Sequence, residues 1–499
     1  MSTISPTREF TEPATHARAA SGIDRRYWSA VLAVTALPLA LGFFRLGEPS
    51  LWFDEAATWL NVSRGSRWLG VAVVSGEDCG GFVYALVMKL WTSLFGYGEA
   101  VLRGPSVLFS AALALTLLQI GRSAGSLRAG VCMALCGTLH PVVLCWSRQA
   151  RAYSLELFLT AAYLAVLLSY VRGGGRRRAA WLTLVGCLLA LTHVFGVFVV
   201  AGGGLYLLLR KFAPSTSRDA AAAGGSLAPP IITALVWGLW IFMMQGRVKQ
   251  NLDAFWIGGT ILNGYRDTFL ELVPWYVAAA LPIVAAVWLW SRWRPSVSGL
   301  PAAEERRTLV ATGLILASVL IGPEVVSAMS RGAHHFVLPR YFLPGVIPVV
   351  VFAGLWLGKS TRRALIGVPL LAAAGLFTAV SEGVYSDAGE DGTRARAAMR
   401  FLAHNIRPGD RLYLTPQYEA STLSYYGVRA ESVRGVGYYG ERHKLREVLL
   451  AEPPQPGARN WVLVYHANDA DDLSELGLAD RPQELFGTIR LVRLDEPLR

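Results

Sequence analysis

The sequence predicts a polytopic α-helical membrane protein, and three observations support this. Of its 499 residues, 53% are hydrophobic and only 16% are charged, whereas a typical soluble domain carries about 25% charged residues. The apolar residues are clustered in runs such as "ALALTLLQI" and "LFLTAAYLAVLLSYV", which approach the roughly 20 residues needed to cross a bilayer. The basic residues lie in short groups between these runs.

The basic groups predict the orientation of the chain. The net charge of +12 is compatible with nucleic acid, but short basic groups between apolar runs are typical of cytoplasmic loops that contact anionic lipid headgroups. We therefore expect a membrane lipid, and no nucleic acid, among the partners. The groups are Arg25–Arg26, Arg122–Arg128, Arg172–Arg178, Arg210–Arg218, Arg292–Arg307 and Lys359–Arg363.

About 11 transmembrane helices place every basic group on the cytoplasmic side. Residues 1–26 are then a cytoplasmic tail and 27–380 form the transmembrane domain. The predicted spans are about 27–44, 101–120, 129–146, 153–171, 180–194, 196–210, 229–246, 270–290, 309–328, 341–357 and 364–380.

The first loop outside the membrane covers residues 45–100. It contains the apolar piece "FVYALVMKLWTSLFG", which is short and carries Lys89. We predict an interfacial helix there rather than a span. Counting the piece as a span would move Arg172 to Arg178 to the outer side, against the charge rule.

Residues 381–499 are predicted to form a small outer α/β domain. A helix over 393–405 ends at a Pro408-Gly409 turn, and "RLYLT", "NWVLVYH" and "TIRLVRL" are predicted strands. The odd number of spans places this domain on the same side as the first loop. "GVGYYG" at 435–440 fits G-x-G-x-x-G, but we predict a loop there, outside any βαβ unit, and no nucleotide site.

The stretch "SLWFDEAATW" contains the most unusual polar feature, the adjacent carboxylates Asp54 and Glu55. A carboxylate at the apolar interface is costly unless it is solvated, paired or used. The bland interpretation is a water-exposed loop at the end of a span. Flanking tryptophans favour headgroup depth instead, where a base could act on a hydroxyl. Because adjacent residues do not share a helix face, one carboxylate could do chemistry while the other orients a basic group.

Arginines on the same predicted outer face run against the inside bias of basic residues. "CWSRQARAYSLE" holds Arg148 and Arg151, and "HHFVLPRYF" holds Arg340. They could contact headgroups, pair with the Asp54–Glu55 loop, or grip a phosphate, for which guanidinium geometry is suited. His193 lies at the tip between two predicted spans, where a lone histidine is more often structural. The five cysteines and His334–His335 show no disulfide or metal spacing.

Four motifs in order resemble those of bacterial GT-C membrane glycosyltransferases related to protein O-mannosyltransferases and to the lipid A aminoarabinose transferase. They are "LWFDEAATW", "DCGGFVYALVMKLWTSLFGYGEAVLRGPSVLFS", "WSRQARAYSL" and "LPRYFLPGVIPVV". "RFLAHNIRPGDRLYLTPQYEA" also resembles the outer domain of many bacterial members, so the resemblance covers about residues 27–430. It implies a GT-C type fold in a bacterial inner membrane, with a periplasmic active site and periplasmic C-terminal domain.

The resemblance implies transfer of a sugar from a polyprenyl-phosphate-linked donor to an acceptor hydroxyl or amine on a lipid, glycan or protein. It implies Asp54 as general base and Glu55 as its helper, with Arg151 and Arg340 near the donor phosphate or sugar. No cofactor is assigned, although a divalent metal ion could take part. The substrate-binding residues that we expect are Asp78, Tyr84, Arg103, Gln149, Arg151, Tyr153, His193, Arg340 and Tyr341.

Two positions depart from the family pattern. Gly80-Gly81-Phe82 stands where relatives have His-Pro-Pro, near the lipid phosphate, and Gln149 stands where they have Glu. Both bear on donor identity more than on the reaction class. A transporter or flippase of a lipid-linked saccharide, or a non-catalytic family member, are the alternatives. Transporters usually show internal repeats and polar residues at mid-span, which this sequence does not show.

Overall fold

The computed structural model describes 15–64, 81–212, 226–253, 303–329, 339–386, 394–428, 432–436, 443–453, 457–465, 473–474 and 476–496. The predicted span at 270–290, Asp78 and His334–His335 lie outside these residues.

A helical bundle forms the larger part of the chain. Its helices up to residue 212 are α1 (Thr15–Phe43), α2 (Phe53–Arg64), α3 (Phe82–Phe95), α4 (Glu99–Ala124), α5 (Leu127–Thr138), α6 (Pro141–Trp146), α7 (Tyr153–Gly173), α8 (Arg176–Thr192) and α9 (Gly196–Phe212). Beyond it follow α10 (Ala228–Asp253), α11 (Ala303–Met329), a 3₁₀ turn (Pro339–Gly345), α12 (Val346–Gly358) and α13 (Thr361–Ser381).

Six helices in the described ranges are long and apolar enough to cross a membrane. They lie within α1, α4, α7 and α11, in the 3₁₀ turn with α12, and in α13. The membrane-protein class is thus supported, while the total of about 11 spans stays a prediction. The span predicted over 129–146 is two helices, α5 and α6. Pro141 opens α6, and the preceding His140 is extended (φ −65°, ψ 126°), because a proline disfavours helical backbone in the residue before it.

Basic side chains gather at one end of the bundle, here called the basic end. Arg128 donates to the Gly358 carbonyl at 2.9 Å, and Arg172 lies 3.7 Å from Glu304. Lys359 pairs with Glu305 at 3.0 Å. These contacts join four helix termini, so the basic residues named here lie at one end of the bundle, as the sequence predicted.

Small residues let α4 and α5 approach closely at this end. A Cβ on Gly121 would lie 2.5 Å from the Gly130 Cα, so neither position has room for a side chain. Close approach through glycine is a common way to pack helices in membranes, where lipid supplies no hydrophobic drive for association.

Helix α3 lies across the opposite end of the bundle, here called the Asp54 end. A Cβ on Gly81, just before α3, would be 4.0 Å from the Thr192 carbonyl oxygen at the end of α8. Near its other end, Trp91 donates to the Val101 carbonyl at 2.7 Å, at the start of α4. Both termini are therefore at the same end, as expected for a helix that does not span.

The C-terminal domain is an α/β unit at the Asp54 end. Its elements are α14 (Ala395–Asn405), β1 (Arg411–Thr415), α15 (Ala420–Tyr425), β2 (Ser432–Gly435), α16 (His443–Ala451), β3 (Asn460–Val464), β4 (Gln483–Phe486) and β5 (Ile489–Leu494). The sheet order is β2-β1-β3-β5-β4, with β1 parallel to β2 and β3. The three predicted strands and the helix are present, and β2 and β4 are additional.

The expected surroundings of "GVGYYG" are corrected by the sheet. Gly435 ends β2, α16 follows, and β2 and β3 flank β1 in parallel. The motif therefore begins inside a βαβ connection, which the short, poorly alternating β2 did not signal. Residues 437–440 lie outside the described part of the chain.

Candidate active site

Asp54 and Glu55 occupy the first turn of α2. A helix N-terminus presents unbonded N–H groups and a partial positive charge, which favours carboxylates. Consecutive residues are about 100° apart around a helix. The two side chains therefore leave α2 in different directions and meet different partners.

Asp54 faces two arginines from distant parts of the sequence. Its Oδ2 lies 3.2 Å from Arg340 Nη1 and 3.6 Å from Arg151 Nη2. Arg151 also donates to the Asp54 backbone carbonyl at 3.2 Å. The Asp54 side chain is 14% exposed, so it is partly open. The structure thus brings together the predicted base and both predicted phosphate-binding arginines.

Glu55 points inward into a fully buried ion pair. Its Oε1 accepts from Arg103 Nε at 2.7 Å and its Oε2 from Arg103 Nη2 at 2.6 Å. The Ala150 amide adds a third bond at 2.8 Å. Side-chain exposure is 0% for Glu55 and 3% for Arg103. This is the orienting role that adjacency in the sequence predicted for one of the two carboxylates.

The other N–H groups of Arg103 donate to backbone carbonyls. Nη1 donates to Leu46 at 3.0 Å and Pro49 at 2.9 Å, and Nη2 donates to Ser50 at 2.9 Å. Its Nε and both Nη atoms all meet protein acceptors. The expected contact of Arg103 with substrate stays a prediction, and its visible task is to hold the chain that leads into α2.

Arg148 binds the backbone at the C-terminus of α1, just before the segment that Arg103 holds. Its Nη1 donates to the carbonyls of Gly42 and Phe44, both at 2.7 Å. It therefore satisfies acceptors that the C-terminus of α1 leaves unbonded. Burial lowers the pKa of the Arg148 guanidinium to about 10, and its Cζ lies 4.4 Å from the centre of the Tyr385 ring. This contact with backbone carbonyls is none of the three interpretations that the sequence left open for the outer arginines.

An aromatic group borders the Asp54 side of the site. The Tyr153 ring packs on Trp146 at 4.2 Å between centroids, and Tyr341 stacks on Phe195 at 4.6 Å. His193 lies between them, 5.8 Å from Tyr153 and 6.0 Å from Tyr341. The structure thus brings the predicted Tyr153, His193 and Tyr341 together.

Glu156 is a site neighbour that the sequence analysis did not single out. It lies in α7 with 0% side-chain exposure, and its Oε1 is 3.1 Å from His193 Nδ1. The sequence could have indicated Glu156, because it is an acidic residue inside a predicted span and such residues are usually paired or functional. Its position favours an orienting role for His193.

Two more predicted residues lie at the same end of the bundle. Tyr84, in the first turn of α3, is buried. The Gln149 carbonyl accepts from Ser106 Oγ at 2.6 Å, and its side-chain amide lies 3.1 Å from Cys145 Sγ. These contacts fix the backbone between α6 and α7, from which Arg151 extends.

A cavity of about 280 Å³ lies on the Glu55 side of the site. Its lining consists of Pro49, Ser50, Trp52, Glu55, Arg103, Cys145, Trp146, Arg148, Gln149 and Val384. Within the described ranges, no three His, Cys, Asp or Glu side chains come together as a metal site would require. A divalent ion therefore stays a prediction without a residue set.

No protein-family model and no curated protein matches the sequence significantly. The fold is similar to that of ArnT from Cupriavidus metallidurans in the apo state, with 14% identity and a TM-score of 0.59 over 95% of this chain and 98% of ArnT. ArnT is the lipid A aminoarabinose transferase, a GT-C glycosyltransferase. This chain has the GT-C fold.

Two further solved structures match the chain. ArnT bound to undecaprenyl phosphate matches with 13% identity and a TM-score of 0.57, over 93% of this chain and 97% of ArnT. The Archaeoglobus fulgidus oligosaccharyltransferase matches with 11% identity and a TM-score of 0.47, over 91% of this chain and 71% of its own. The GT-C resemblance expected from the four motifs is confirmed at the level of the fold.

Proposed function

We propose that the chain is an inner-membrane glycosyltransferase that moves a sugar from a polyprenyl-phosphate-linked donor to an acceptor hydroxyl or amine. The observation that carries the proposal is the placement of Asp54 between Arg151 and Arg340, at 3.6 and 3.2 Å. One carboxylate and two guanidinium groups leave a net charge of +1 (2 − 1). A partly open cationic site next to a carboxylate suits a phosphate beside a base.

The chemical step balances with these groups. Asp54 accepts the proton of the acceptor hydroxyl or amine as the new bond to the sugar C1 forms. The bond from C1 to the phosphate oxygen breaks, and that oxygen keeps the electron pair. Arg151 and Arg340 neutralise the charge that develops on the polyprenyl phosphate. The partly exposed Tyr341 ring would orient the sugar.

The position of the site at one end of the bundle suits a lipid-linked donor. Asp54, Arg151 and Arg340 lie where α2, α7 and the 3₁₀ turn begin, at the end of the bundle opposite the basic end. If basic loops face the cytoplasm, this end faces the periplasm. The likeness to ArnT bound to undecaprenyl phosphate supports the same donor class. We propose a lipid, glycan or protein acceptor there.

The test is the Asp54→Asn variant in reconstituted vesicles. The purified chain is incubated with undecaprenyl-phosphate-linked hexoses and pentoses and with membrane acceptors, and label transfer is measured. We expect transfer by the wild type and its abolition in the variant, with unchanged thermal unfolding and gel-filtration profile. Arg362→Gln, at the basic end, is the control. Full transfer by Asp54→Asn would overturn the mechanism, and movement of intact donor across the bilayer would favour the flippase alternative.

A further inference from the structure

The entry segment, residues 44–52 between α1 and α2, is irregular backbone that runs directly into Asp54. Buried carbonyls outside regular structure need partners. Here arginines from three parts of the chain supply them. Arg148 donates to the Phe44 carbonyl. Arg103 donates to the carbonyls of Leu46, Pro49 and Ser50. Arg396 donates to those of Gly47 and Pro49.

Arg396 differs from the other two because it belongs to the C-terminal domain. It lies in α14, and its Nη2 donates to the Gly47 carbonyl at 2.7 Å. Its Nε donates to Glu99 Oε1 at 2.8 Å, and its backbone N–H donates to Ser50 Oγ at 3.1 Å. One residue of the outer domain thus grips both the entry segment and the start of α4.

Tyr426, which follows α15, makes a second connection from the same domain. Its hydroxyl donates to Glu99 Oε1 at 2.9 Å and accepts from the Leu51 amide at 2.8 Å. A tyrosine hydroxyl keeps its proton at neutral pH, and burial raises the pKa of this one further, so it can act as the donor. The neighbouring Tyr425 ring packs edge-on against Trp59 of α2, with centroids 5.2 Å apart.

The contact at Leu51 is close to the chemistry in sequence and in structure. Leu51 lies three positions before Asp54, and the Trp52 carbonyl accepts the first helical bond of α2 from Ala56 at 3.0 Å. A change at Leu51 is therefore passed directly to the first turn of α2. A misplacement of a catalytic group by about 1 Å can cost roughly 100-fold in rate.

We propose that Arg396 and Tyr426 are positioning residues, through which the C-terminal domain sets the place of Asp54 by holding the entry segment against Glu99. The proposal rests on the proposed role of Asp54 as base. The C-terminal domain would then contribute to catalysis without contact between these two residues and the substrate. Glu99 is the shared acceptor that couples the two contacts.

The test compares Arg396→Gln and Tyr426→Phe with matched controls in the full chain. Arg400→Gln lies in the same helix with an exposed side chain. Tyr413→Phe removes a hydroxyl that bonds Glu452 at 2.9 Å inside the domain. Label transfer is measured with the undecaprenyl-phosphate sugars named above. Hydrogen exchange of the peptides covering 44–64 is measured in the same samples.

We expect kcat to fall about 10- to 100-fold in both test variants with little change in KM. A misplaced base stabilises the transition state less but leaves donor binding unchanged. Exchange of residues 44–64 should rise in both. The controls should keep wild-type kcat and exchange. The double variant should lose less than the product of the single losses, because both contacts converge on Glu99.

Unchanged kcat and unchanged exchange in both test variants would overturn the inference. So would equal losses in Tyr413→Phe, since these would indicate general destabilisation of the domain. Failure of the proposed function looks different, because Asp54→Asn would then keep full transfer. If the wild type transfers no sugar, the proposed function fails, and the exchange of residues 44–64 still tests whether Arg396 and Tyr426 hold the entry segment.

Discussion

Asp54 and Glu55 are adjacent in sequence and equal in charge, yet their surroundings differ completely. Glu55 is fully buried, held at 2.6 and 2.7 Å by Arg103 and at 2.8 Å by an amide. Asp54 is 14% exposed and has two longer contacts at 3.2 and 3.6 Å. A carboxylate with all its oxygens bonded fixes the backbone, whereas a partly open one can accept a proton. This difference supports the proposal that Glu55 fixes the backbone while Asp54 acts as the base.

The largest effect is expected from variants that break the buried ion pair between Glu55 and Arg103. Arg103→Gln or Glu55→Gln leaves a buried charge without its partner, which typically costs about 3–5 kcal/mol. We expect lower yield and a lower unfolding temperature in detergent. Glu48→Gln is the control, because Glu48 and its partner Arg45 are 47% and 44% exposed and such pairs contribute about 1 kcal/mol or less. Wild-type stability of Glu55→Gln would contradict the structural role.

A second experiment tests the contacts of Asp54 with its two arginines. Arg340→Gln removes one of the two cations beside Asp54, and loss of one electrostatic contact to a developing oxyanion costs about 100-fold in kcat. Arg340→Lys should recover part of the rate, because it keeps the charge but not the guanidinium fork. Unfolding temperature should change little in either variant. Loss of folding without an activity defect in the folded fraction would show that Arg340 behaves like Arg103.

The smallest expected effect uses Asp410, a buried carboxylate held like Glu55 but outside the membrane bundle. Burial raises its pKa, but hydrogen bonds from Arg459, Trp461 and two backbone amides outweigh it, so the pKa is lowered. A lowered folded pKa means that the stabilisation is present above the unfolded pKa of about 3.9. It is lost as pH falls through the folded value.

The measurement for Asp410 is thermal unfolding against pH. Asp410→Asn should cost about 1–3 kcal/mol at pH 7, and the difference from the wild type should shrink below about pH 4. Glu484→Gln, exposed on β4, should show no such trend. A difference that is constant with pH would mean that the charge of Asp410 does not contribute.

Much of the fold was predictable because apolar length and basic clusters report the bilayer directly. Most predicted spans fall on helices whose bounds differ by a few residues. The break at His140–Pro141 was missed because the run "GTLHPVVLCW" is apolar on both sides of the proline. Strands β2 and β4 were missed because β2 is only four residues long and "QELF" shows no clear alternation.

The candidate site was predictable in its members more than in their roles. Asp54, Arg151 and Arg340 were named from the sequence, and the structure brings them within 3.6 Å. Arg148 was noticed only as a cation at the wrong face, because backbone carbonyls as acceptors leave no trace in a sequence. Arg396 and Tyr426 were not named, since their partners lie 297 and 327 residues away in Glu99.

The sequence by itself indicated the membrane class, the gathering of basic residues between spans and the residue types able to bind a phosphate, because these depend on local composition. Only the tertiary structure decided which carboxylate faces inward, which arginine holds backbone and which faces Asp54. Those outcomes depend on contacts between residues far apart in the chain. A guanidinium group can donate to either a carboxylate or a backbone carbonyl, so the sequence does not assign its partner and the tertiary structure does.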